Sequence, residues 1–197
     1  VVFVGTGKYL ETTDLTDTQQ QTFYAIKDAD DYPTATPTAT LVNPRTTLVQ
    51  QTITTAGATR TATANAVDFK TGRGWYVNLP DSGERSNVDP QLVLGTMLVP
   101  TTVPSNTICS PGGYGWLNFF DYKTGSKVGT TAGDDEVGQK TNAPIVGINV
   151  FYLPDGSVTT SVVTSDHPTP DIVPGVEFSS SSGRFVGKRV VWRELLQ

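Results

Sequence analysis

The stretch "FDYKTGSKV" at residues 120–128 decides the fold, because the chain carries a second copy of it. "VDFKTGRGW" at residues 67–75 has the same order of residue types, 53 residues earlier. The shared positions are Asp68, Lys70, Thr71 and Gly72 in the first copy and Asp121, Lys123, Thr124 and Gly125 in the second. An aspartate, an aromatic residue and a glycine turn repeated at this spacing suit the four-stranded blades of a β-propeller. The repeat therefore predicts related β-sheets.

Strand-like runs occur on both sides of the repeat, rich in β-branched and aromatic residues and bounded by Gly, Pro, Asp or Asn. The predicted strands are 1–5, 21–27, 46–55, 74–80, 91–103, 115–122, 143–153, 157–165 and 184–195. "LPDGSV" at 153–158 predicts a hairpin turn, since Asp-Gly tolerates the positive φ angles of short turns. The polar stretch 11–21 is interpreted as a loop, and the Pro- and Thr-rich stretch 31–44 as a surface insertion or linker.

Composition agrees with an all-β fold and excludes some partners. Of the 197 residues, 37% are hydrophobic and 17% charged, and there are 19 Gly and 13 Pro, which favours strands and turns over helix. The net charge of −5 disfavours binding to nucleic acid or to an anionic membrane surface. No apolar stretch reaches the roughly 18 residues that a membrane-spanning helix requires.

The opening stretch "VVFVGTGKYLE" (1–11) has some features of a phosphate-binding loop but lacks the required pattern. A P-loop needs an earlier glycine where Val2 stands and a hydroxyl residue where Tyr9 follows Lys8. A dinucleotide-binding turn needs a glycine at Leu10. We interpret 1–8 as a strand that leaves through a glycine turn.

Few residues offer catalytic chemistry. His167 is the sole histidine and Cys109 the sole cysteine, and the sequence lacks the Gly-x-Ser-x-Gly elbow of a serine nucleophile. We interpret His167 as a loop residue and Cys109 as a small buried side chain, which leaves no catalytic and no cofactor-binding residue to assign.

Four ordered patterns resemble the C-terminal β-propeller of the PilC/PilY family of type IV pilus tip proteins. They are "VVFVGTGKYLETTDLTDTQQQTFYAIKD" (1–28), "GWYVNLPDSGER" (74–85), "CSPGGYGWLNFFDYKTG" (109–125) and "KRVVWRELLQ" (188–197). The resemblance implies an all-β fold made of the C-terminal blades of a modified propeller, with residues 1–197 as one region of a longer chain. In this setting Gly5 and Gly7 are turn glycines and Lys8 is a solvated residue.

The resemblance also implies a function, a location and partners. Proteins of this family support pilus biogenesis and surface adhesion, which predicts a non-catalytic module outside the cell, at the pilus tip or outer membrane. The expected partners are the rest of the parent chain, minor pilins or neighbouring copies, and a host-surface receptor.

Several members of the family depend on calcium, held by a loop with aspartates at alternating positions. "DADDYP" (28–33) offers Asp28 and Asp30 but has Pro33 where the turn glycine belongs, and "GDDEVG" (133–138) places its acids consecutively. We therefore predict no metal site and no cofactor in this chain, and expect any calcium site of the parent protein upstream of Val1.

The tryptophans Trp75, Trp116 and Trp192 are expected to pack between blades, with a carbohydrate-stacking surface as the alternative. For the whole chain two alternatives remain open: a structural β-rich surface or filament protein, favoured by the Thr-rich composition, and a propeller enzyme of the quinoprotein type. Because about four blades at most fit in this length, we also expect exposed sheet edges that need the parent chain or neighbouring copies for stability.

Overall fold

The computed structural model of the protein describes residues 1–27, 43–105, 112–129, 135–154 and 157–173, together with positions 176 and 178. The strands are β1 (Val2–Gly5), β2 (Thr22–Ile26), β3 (Val49–Gln51), β4 (Ile53–Ala56), β5 (Thr59–Ala62), β6 (Gly74–Asn78), β7 (Gln91–Val93), β8 (Thr96–Val103), β9 (Tyr114–Asp121), β10 (Glu136–Thr141), β11 (Ile145–Tyr152), β12 (Val158–Thr164) and β13 (His167–Val173). The helical elements of these residues are a 3₁₀ turn, Thr12–Leu15, and a one-turn helix, α1 (Pro44–Thr47). The predicted all-β fold class is confirmed.

The strands form three sheets, here called A, B and C. Sheet A has the order β1-β2-β6-β3, sheet B the order β4-β5-β10-β9-β8-β7, and sheet C the order β11-β12-β13. Neighbouring strands are antiparallel except β3, which runs parallel to β6. Within sheet B, the consecutive strands β7 to β10 make a four-stranded antiparallel meander.

Sheet B has six strands, not the four that a regular blade predicts, because a hairpin from elsewhere joins its edge. After β2, strand β3 pairs with β6 and so also belongs to sheet A. It then forms the hairpin β4-β5, whose second strand pairs with β10 of sheet B. Sheet A has the expected number of strands, but its last pair is parallel. The segment between β2 and β6 thus contributes a strand to one sheet and a hairpin to another.

Sheet B packs between sheets A and C because both of its faces are apolar. Along β9, Leu117 and Phe119 alternate with Trp116 and Phe120, as the two-residue period of a strand requires. The core between A and B contains Phe23, Ala25, Trp75 and Val77 of sheet A with Ile53, Met97, Val99, Phe120 and Val137 of sheet B. The core between B and C contains Leu98, Leu117, Phe119, Ile145, Ile148, Val162 and Val173.

The repeated Asp-x-Lys-Thr-Gly stretch forms the same turn twice. Asp68 Oδ1 accepts a hydrogen bond from the backbone N–H two residues on at 2.8 Å, and Asp121 Oδ1 does the same at 2.8 Å. In each copy the glycine N–H donates to the carbonyl oxygen of the aspartate, at 2.7 Å for Gly72 and 2.8 Å for Gly125. The backbone bond from Lys70 and the hydroxyl of Thr71 lower the pKa of Asp68.

The second turn connects sheet B to sheet A through Trp75. The Trp75 ring is fully buried, and its Nε1 donates to the Tyr122 carbonyl oxygen at 3.1 Å. Gly125 lies against the face of the same ring with φ of +69°, so that a Cβ at this position would overlap the indole. Phe23 and Phe120 contact the ring from either sheet, with centroids 6.1 and 5.8 Å away. The turn therefore aligns the two sheets at one tryptophan.

Most of the predicted strands are confirmed, with two breaks. The prediction of one strand over 91–103 was wrong at Leu94 and Gly95, whose φ angles of 47° and 84° turn the chain between β7 and β8. The prediction over 46–55 was also wrong as a single strand. Its first residues lie in α1, which Asn43 caps through its side chain, and β3 and β4 then pair with different sheets.

Three strands escaped prediction, and all are rich in polar residues. They are β5 ("TRTA"), β10 ("EVGQKT") and β13 ("HPTPDIV"). The loop interpretation of 11–21 is confirmed and includes the 3₁₀ turn. The strands on either side of the predicted 153–158 hairpin pair antiparallel, with Leu153 N–H donating to the Ser157 carbonyl at 2.9 Å.

Some predictions fall outside the described residues. These include the strand at 184–195 and residues 31–42 of the expected insertion. In the part of the chain that the structure describes, no helix is long and apolar enough to cross a membrane.

We predict that Gly125→Ala destabilises the protein more than Gly57→Ala does. Both glycines have a positive φ, +69° and +64°, which should cost about 1–2 kcal/mol for alanine, but Gly57 faces open space. The overlap with Trp75 should add roughly 1–3 kcal/mol at Gly125 alone. Urea denaturation of the two variants measures the difference, and equal losses would show that the Trp75 contact contributes nothing.

Candidate functional site

A buried ion pair joins β5 to the loop that follows β6. Arg60 Nη1 and Nη2 lie 2.7 and 2.8 Å from the two carboxylate oxygens of Glu84, and both side chains are fully buried. The guanidinium stacks on Trp116, with Cζ 3.8 Å from the ring centroid. Arg60 Nη1 also donates to Asn118 Oδ1 at 2.9 Å. The contact therefore fixes the added hairpin to the central strand of sheet B.

All the acceptor positions of Glu84 are occupied. Besides Arg60, the Thr101 hydroxyl donates to Oε1 at 2.5 Å and the Asp81 backbone N–H donates to Oε2 at 3.2 Å. A carboxylate has about four lone-pair positions, and these four bonds use them. Glu84 is therefore built to hold β5, β8 and the 81–84 loop together, and it has no free lone pair to accept a proton from a substrate.

Asp81 forms the exposed side of this cluster. Its Oδ2 accepts hydrogen bonds from the Tyr114 hydroxyl at 2.9 Å and from Trp116 Nε1 at 2.8 Å, and it lies 3.3 Å from Arg60 Nη2. Burial and the hydrogen bond to Asp81 raise the pKa of Tyr114 to about 12. Lys140 Nζ lies 3.9 Å from the centroid of the Tyr114 ring. We call these residues, with Arg60, Glu84, Thr101 and Asn118, the polar cluster.

A second buried arginine, Arg85, holds the loop between β1 and β2. Its Nη1 donates to the Lys8 carbonyl at 2.5 Å and its Nη2 to the Asp17 carbonyl at 2.9 Å, at the two ends of the loop. Inside the loop, the Asp14 carboxylate accepts from the backbone N–H of Leu10 at 2.7 Å and of Glu11 at 2.9 Å, which lowers its pKa. The loop is thus fixed by polar contacts.

The opening glycine stretch lies beside this arginine. Gly7 has φ of +116° and packs against the Arg85 side chain, and Lys8 Nζ pairs with Glu11 at 2.9 Å in an exposed position. The interpretation of 1–8 as a strand followed by a glycine turn, with a solvated Lys8, is confirmed.

The other residues considered in the sequence do not join the polar cluster. His167 is the exposed first residue of β13, in a strand where the sequence predicted a loop, and Asp135 forms an ion pair with Lys127. Cys109, Asp28, Asp30, Asp134 and Trp192 lie outside the described residues. Within the described ranges no group of three or more His, Cys, Asp or Glu side chains is placed to hold a metal. The absence of a metal site and of a cofactor stays a prediction.

Of the two described tryptophans, Trp75 packs between two sheets as predicted, whereas Trp116 is buried within the polar cluster. Trp75 lies in the core between sheets A and B, and Trp116 is almost wholly buried under Arg60. Sequence reasoning missed the polar cluster itself, although two of its members, Asp81 and Glu84, belong to the quoted stretch "GWYVNLPDSGER". That stretch carried part of the family resemblance, but it did not indicate a structural role for its charged residues.

Comparison with known proteins finds two relatives, each named type IV pilus biogenesis factor PilY1 homolog and each from Xylella fastidiosa (strain Temecula1 / ATCC 700964). The first is 27% identical over 210 aligned residues, which cover 100% of this chain and 16% of the relative. The second is 28% identical over 136 residues, which cover 64% of this chain and 9% of the relative. The chain thus spans a small part of the length of the relatives it matches.

No family profile matches the chain. No solved structure matches it either. Fold and cluster define the class as an all-β region of stacked sheets fastened by buried arginines. By sequence, more particularly, it is similar to a part of two type IV pilus biogenesis factor PilY1 homologs.

We predict that Glu84→Ala lowers the free energy of unfolding by about 3–5 kcal/mol, because it leaves the buried Arg60 charge without its partner. The double variant Arg60→Met/Glu84→Leu should be closer to the unmodified chain than Glu84→Leu alone. Glu11→Ala, which breaks an exposed pair, is the control and should change stability by less than about 1 kcal/mol. Urea denaturation measures all four, and a loss for Glu84→Ala no larger than that of the control would contradict the role given to the cluster.

We predict that one tyrosine titrates with a pKa of about 12, and that Tyr114→Phe removes this step. Ordinary tyrosines titrate near 10. Because the folded protein raises the pKa, this contribution to stability is complete below pH 10 and is lost as the pH rises toward about 12. Tyrosinate absorbance, measured from neutral to strongly alkaline pH, follows this titration. A titration curve of Tyr114→Phe that keeps the high step would assign it to another residue.

Proposed function

We propose that this chain is part of a protein that supports type IV pilus biogenesis and surface adhesion, as a non-catalytic binding and assembly module. The similarity over the whole chain to a type IV pilus biogenesis factor PilY1 homolog is the observation that carries the proposal. The aligned region covers the whole chain, and with it the segments that form the turns, the polar cluster and both cores. The proposal places the module outside the cell, at the pilus tip or the outer membrane.

The contacts of the polar cluster support a structural role for its residues. Each acceptor position of Glu84 binds a donor of the same chain, and Asp81 Oδ2 has contacts to three side chains. Acid–base catalysis needs a carboxylate with a lone pair or proton directed at a substrate. Because these carboxylates already bind donors of the same chain, they favour a structural role over a catalytic one.

The sheet arrangement supports the proposal that the region belongs to a β-propeller. Three sheets stack face to face with an apolar core at each contact, β7 to β10 form a meander, and the same turn recurs in the segments that precede β6 and follow β9. Successive blades of a propeller pack in this way around an axis. We propose that residues 1–197 supply some of the blades and the rest of the parent chain supplies the others.

The outer face of sheet A supports an assembly role. Val2 and Val4 are 55% and 43% exposed on β1, beside Tyr24 and Ile26 of β2 in the same register. Contiguous apolar residues on an exposed sheet mark contact surfaces. Proposed occupants are the parent chain, a minor pilin or a neighbouring copy, and a host-surface receptor is the proposed target of the assembled protein.

We predict that deletion of residues 1–197 from the parent protein reduces surface pili and attachment in the bacterium that encodes it. Glu84→Ala in the full-length protein should have the same direction of effect, because it destabilises the region, while Glu11→Ala should leave pili unchanged. Sheared pili are quantified by immunoblot, attachment is counted on a solid surface, and the level of the parent protein is followed in each strain. Normal pili and normal attachment in the deletion strain, with the shortened protein still made, would refute the proposal.

A further inference from the structure

An open groove lies at one end of the interface between sheets B and C. Its volume is about 410 Å³. One wall is the end of β10 with the loop after it, and the other is formed by β12 and β13. Pockets that bind small molecules in proteins have volumes of about 300–1,000 Å³, so the groove has room for a small ligand.

The groove is open because polar side chains of sheet B replace the apolar core at this end. Gln139 of β10 pairs with Leu117, which belongs to the core between sheets B and C, so the Gln139 side chain projects toward sheet C. Thr141, two residues further along β10, projects the same way. Two sheets do not close on polar groups that lack partners, because burying such groups costs free energy.

Sheet C directs polar side chains toward the same space. Asp171 of β13 pairs with the core residue Val162, and Thr164 of β12 pairs with the core residue Ile145, so both project toward sheet B and line the groove. Thr164 is only 7% exposed, and no described residue hydrogen-bonds its hydroxyl. A buried hydroxyl of this kind favours a ligand that can bond to it.

The lining is apolar where it is buried and polar at the rim. Val162, Val173 and Ala143 line the groove and are almost wholly buried. Asn142 and Asp166 are exposed lining residues. A ligand that fits this lining therefore has an apolar face and several polar groups.

The charges of the groove exclude an anionic ligand. Its carboxylates are Asp166 and Asp171. Lys140 also borders the groove, but it pairs with Trp116, and its Nζ lies 3.9 Å from the centroid of the Tyr114 ring, on the other face of sheet B. The two carboxylates therefore make the local field negative.

The hydrogen-bonding groups of the groove favour a neutral polyol over a cation. A cation needs acceptors alone, whereas the amides of Gln139 and Asn142 and the hydroxyl of Thr164 donate as well as accept. The hydroxyl groups of a sugar also do both, and the C–H face of a sugar ring is apolar. A neutral sugar thus matches the carboxylates, the amides and the valines together.

We infer that this groove binds a neutral sugar unit of a glycan. Asp171 accepts hydrogen bonds from its hydroxyl groups, and the Thr164 hydroxyl bonds to it at the buried end. Its C–H face packs on Val162 and Val173, and Gln139 and Asn142 bond to it from the sheet B side. The inference does not rest on the pilus role proposed above.

NMR titration of the full chain with glucose, galactose, mannose and N-acetylglucosamine tests this inference, with glucuronate and spermidine as charged probes. At least one neutral sugar should bind saturably with a Kd of about 1 mM, as expected for so small a ligand. The backbone amides of Gln139 and Thr164 should shift. Glucuronate should bind at least about tenfold more weakly, because its carboxylate meets Asp166 and Asp171.

Two substitutions that keep the shape of the groove test its polar groups. Asp171→Asn should weaken sugar binding about tenfold or more, and Thr164→Val about three- to tenfold, since a bond to a charged group is the stronger. The matched controls are Asp135→Asn, at an acid outside the groove, and Thr159→Val, which pairs with Phe151 on the opposite face of sheet C. Both controls should leave the Kd unchanged, and circular dichroism checks that each variant is folded.

Three outcomes would overturn the inference. They are the absence of saturable binding by all four neutral sugars up to about 100 mM, an unchanged Kd in both Asp171→Asn and Thr164→Val, and tighter binding of spermidine than of every sugar at the same amides. The pilus role is tested separately, because normal pili and attachment in a strain with Asp171→Asn would leave sugar binding by the purified chain as it was measured.

Discussion

The buried carboxylate of Glu84 is the constraint on which the arrangement of the sheets depends. A charge removed from water is tolerated only when every acceptor position is filled, and Glu84 fills its positions from β5, β8 and the loop after β6. Those donors therefore lie in three separate parts of the chain. The pair with Arg60 therefore allows one alignment of the β4-β5 hairpin on sheet B and disfavours slipped registers, in which the charges would be buried unpaired.

The aromatic contacts act on the same side of sheet B as this ion pair. Trp116 supports the Arg60 guanidinium, while Trp75 packs against the turn at Gly125. The contact at Trp116 depends on the buried charges, and the contact at Trp75 depends on close packing. Together they align sheets A and B at both ends of β9. Sheet C has no corresponding polar cluster among the described residues, and its contact with sheet B is the apolar core around Leu117 and Phe119.

Sequence reasoning predicted the parts of the fold whose signal is local. The two Asp-x-Lys-Thr-Gly stretches form equivalent turns, because in each copy the aspartate side chain accepts the backbone N–H two residues on. Strands β8 and β9 were predicted as well, because the alternation of apolar residues along a strand is also a local signal. Strands β5 and β10 were missed because their stability comes from pairing with each other and with β9, and not from their own apolar residues.

The polar cluster could not be predicted from the sequence, because its members are brought together by pairing between distant strands. Arg60 stands in a threonine-rich run and Glu84 in a turn-like stretch, and each has the composition of an exposed residue. The local signal that existed, an acid and an arginine in adjacent positions 84 and 85, points to a surface pair. In the structure the two side chains bind different partners, Arg60 and the ends of the β1-β2 loop.

The crossing of the β4-β5 hairpin from one sheet to the next has a consequence for the order of folding. Strand β5 stays without its partner β10 until the chain has been made as far as residue 141. Sheet A, whose strands all precede residue 79, can form first, but the β4-β5 hairpin within this stretch of chain stays unpaired until sheet B is complete. Folding of this kind, dominated by contacts remote in sequence, is slow. A chain released early would present β4-β5 as an unpaired edge, so a chaperone that shields such edges would have its main task at this hairpin.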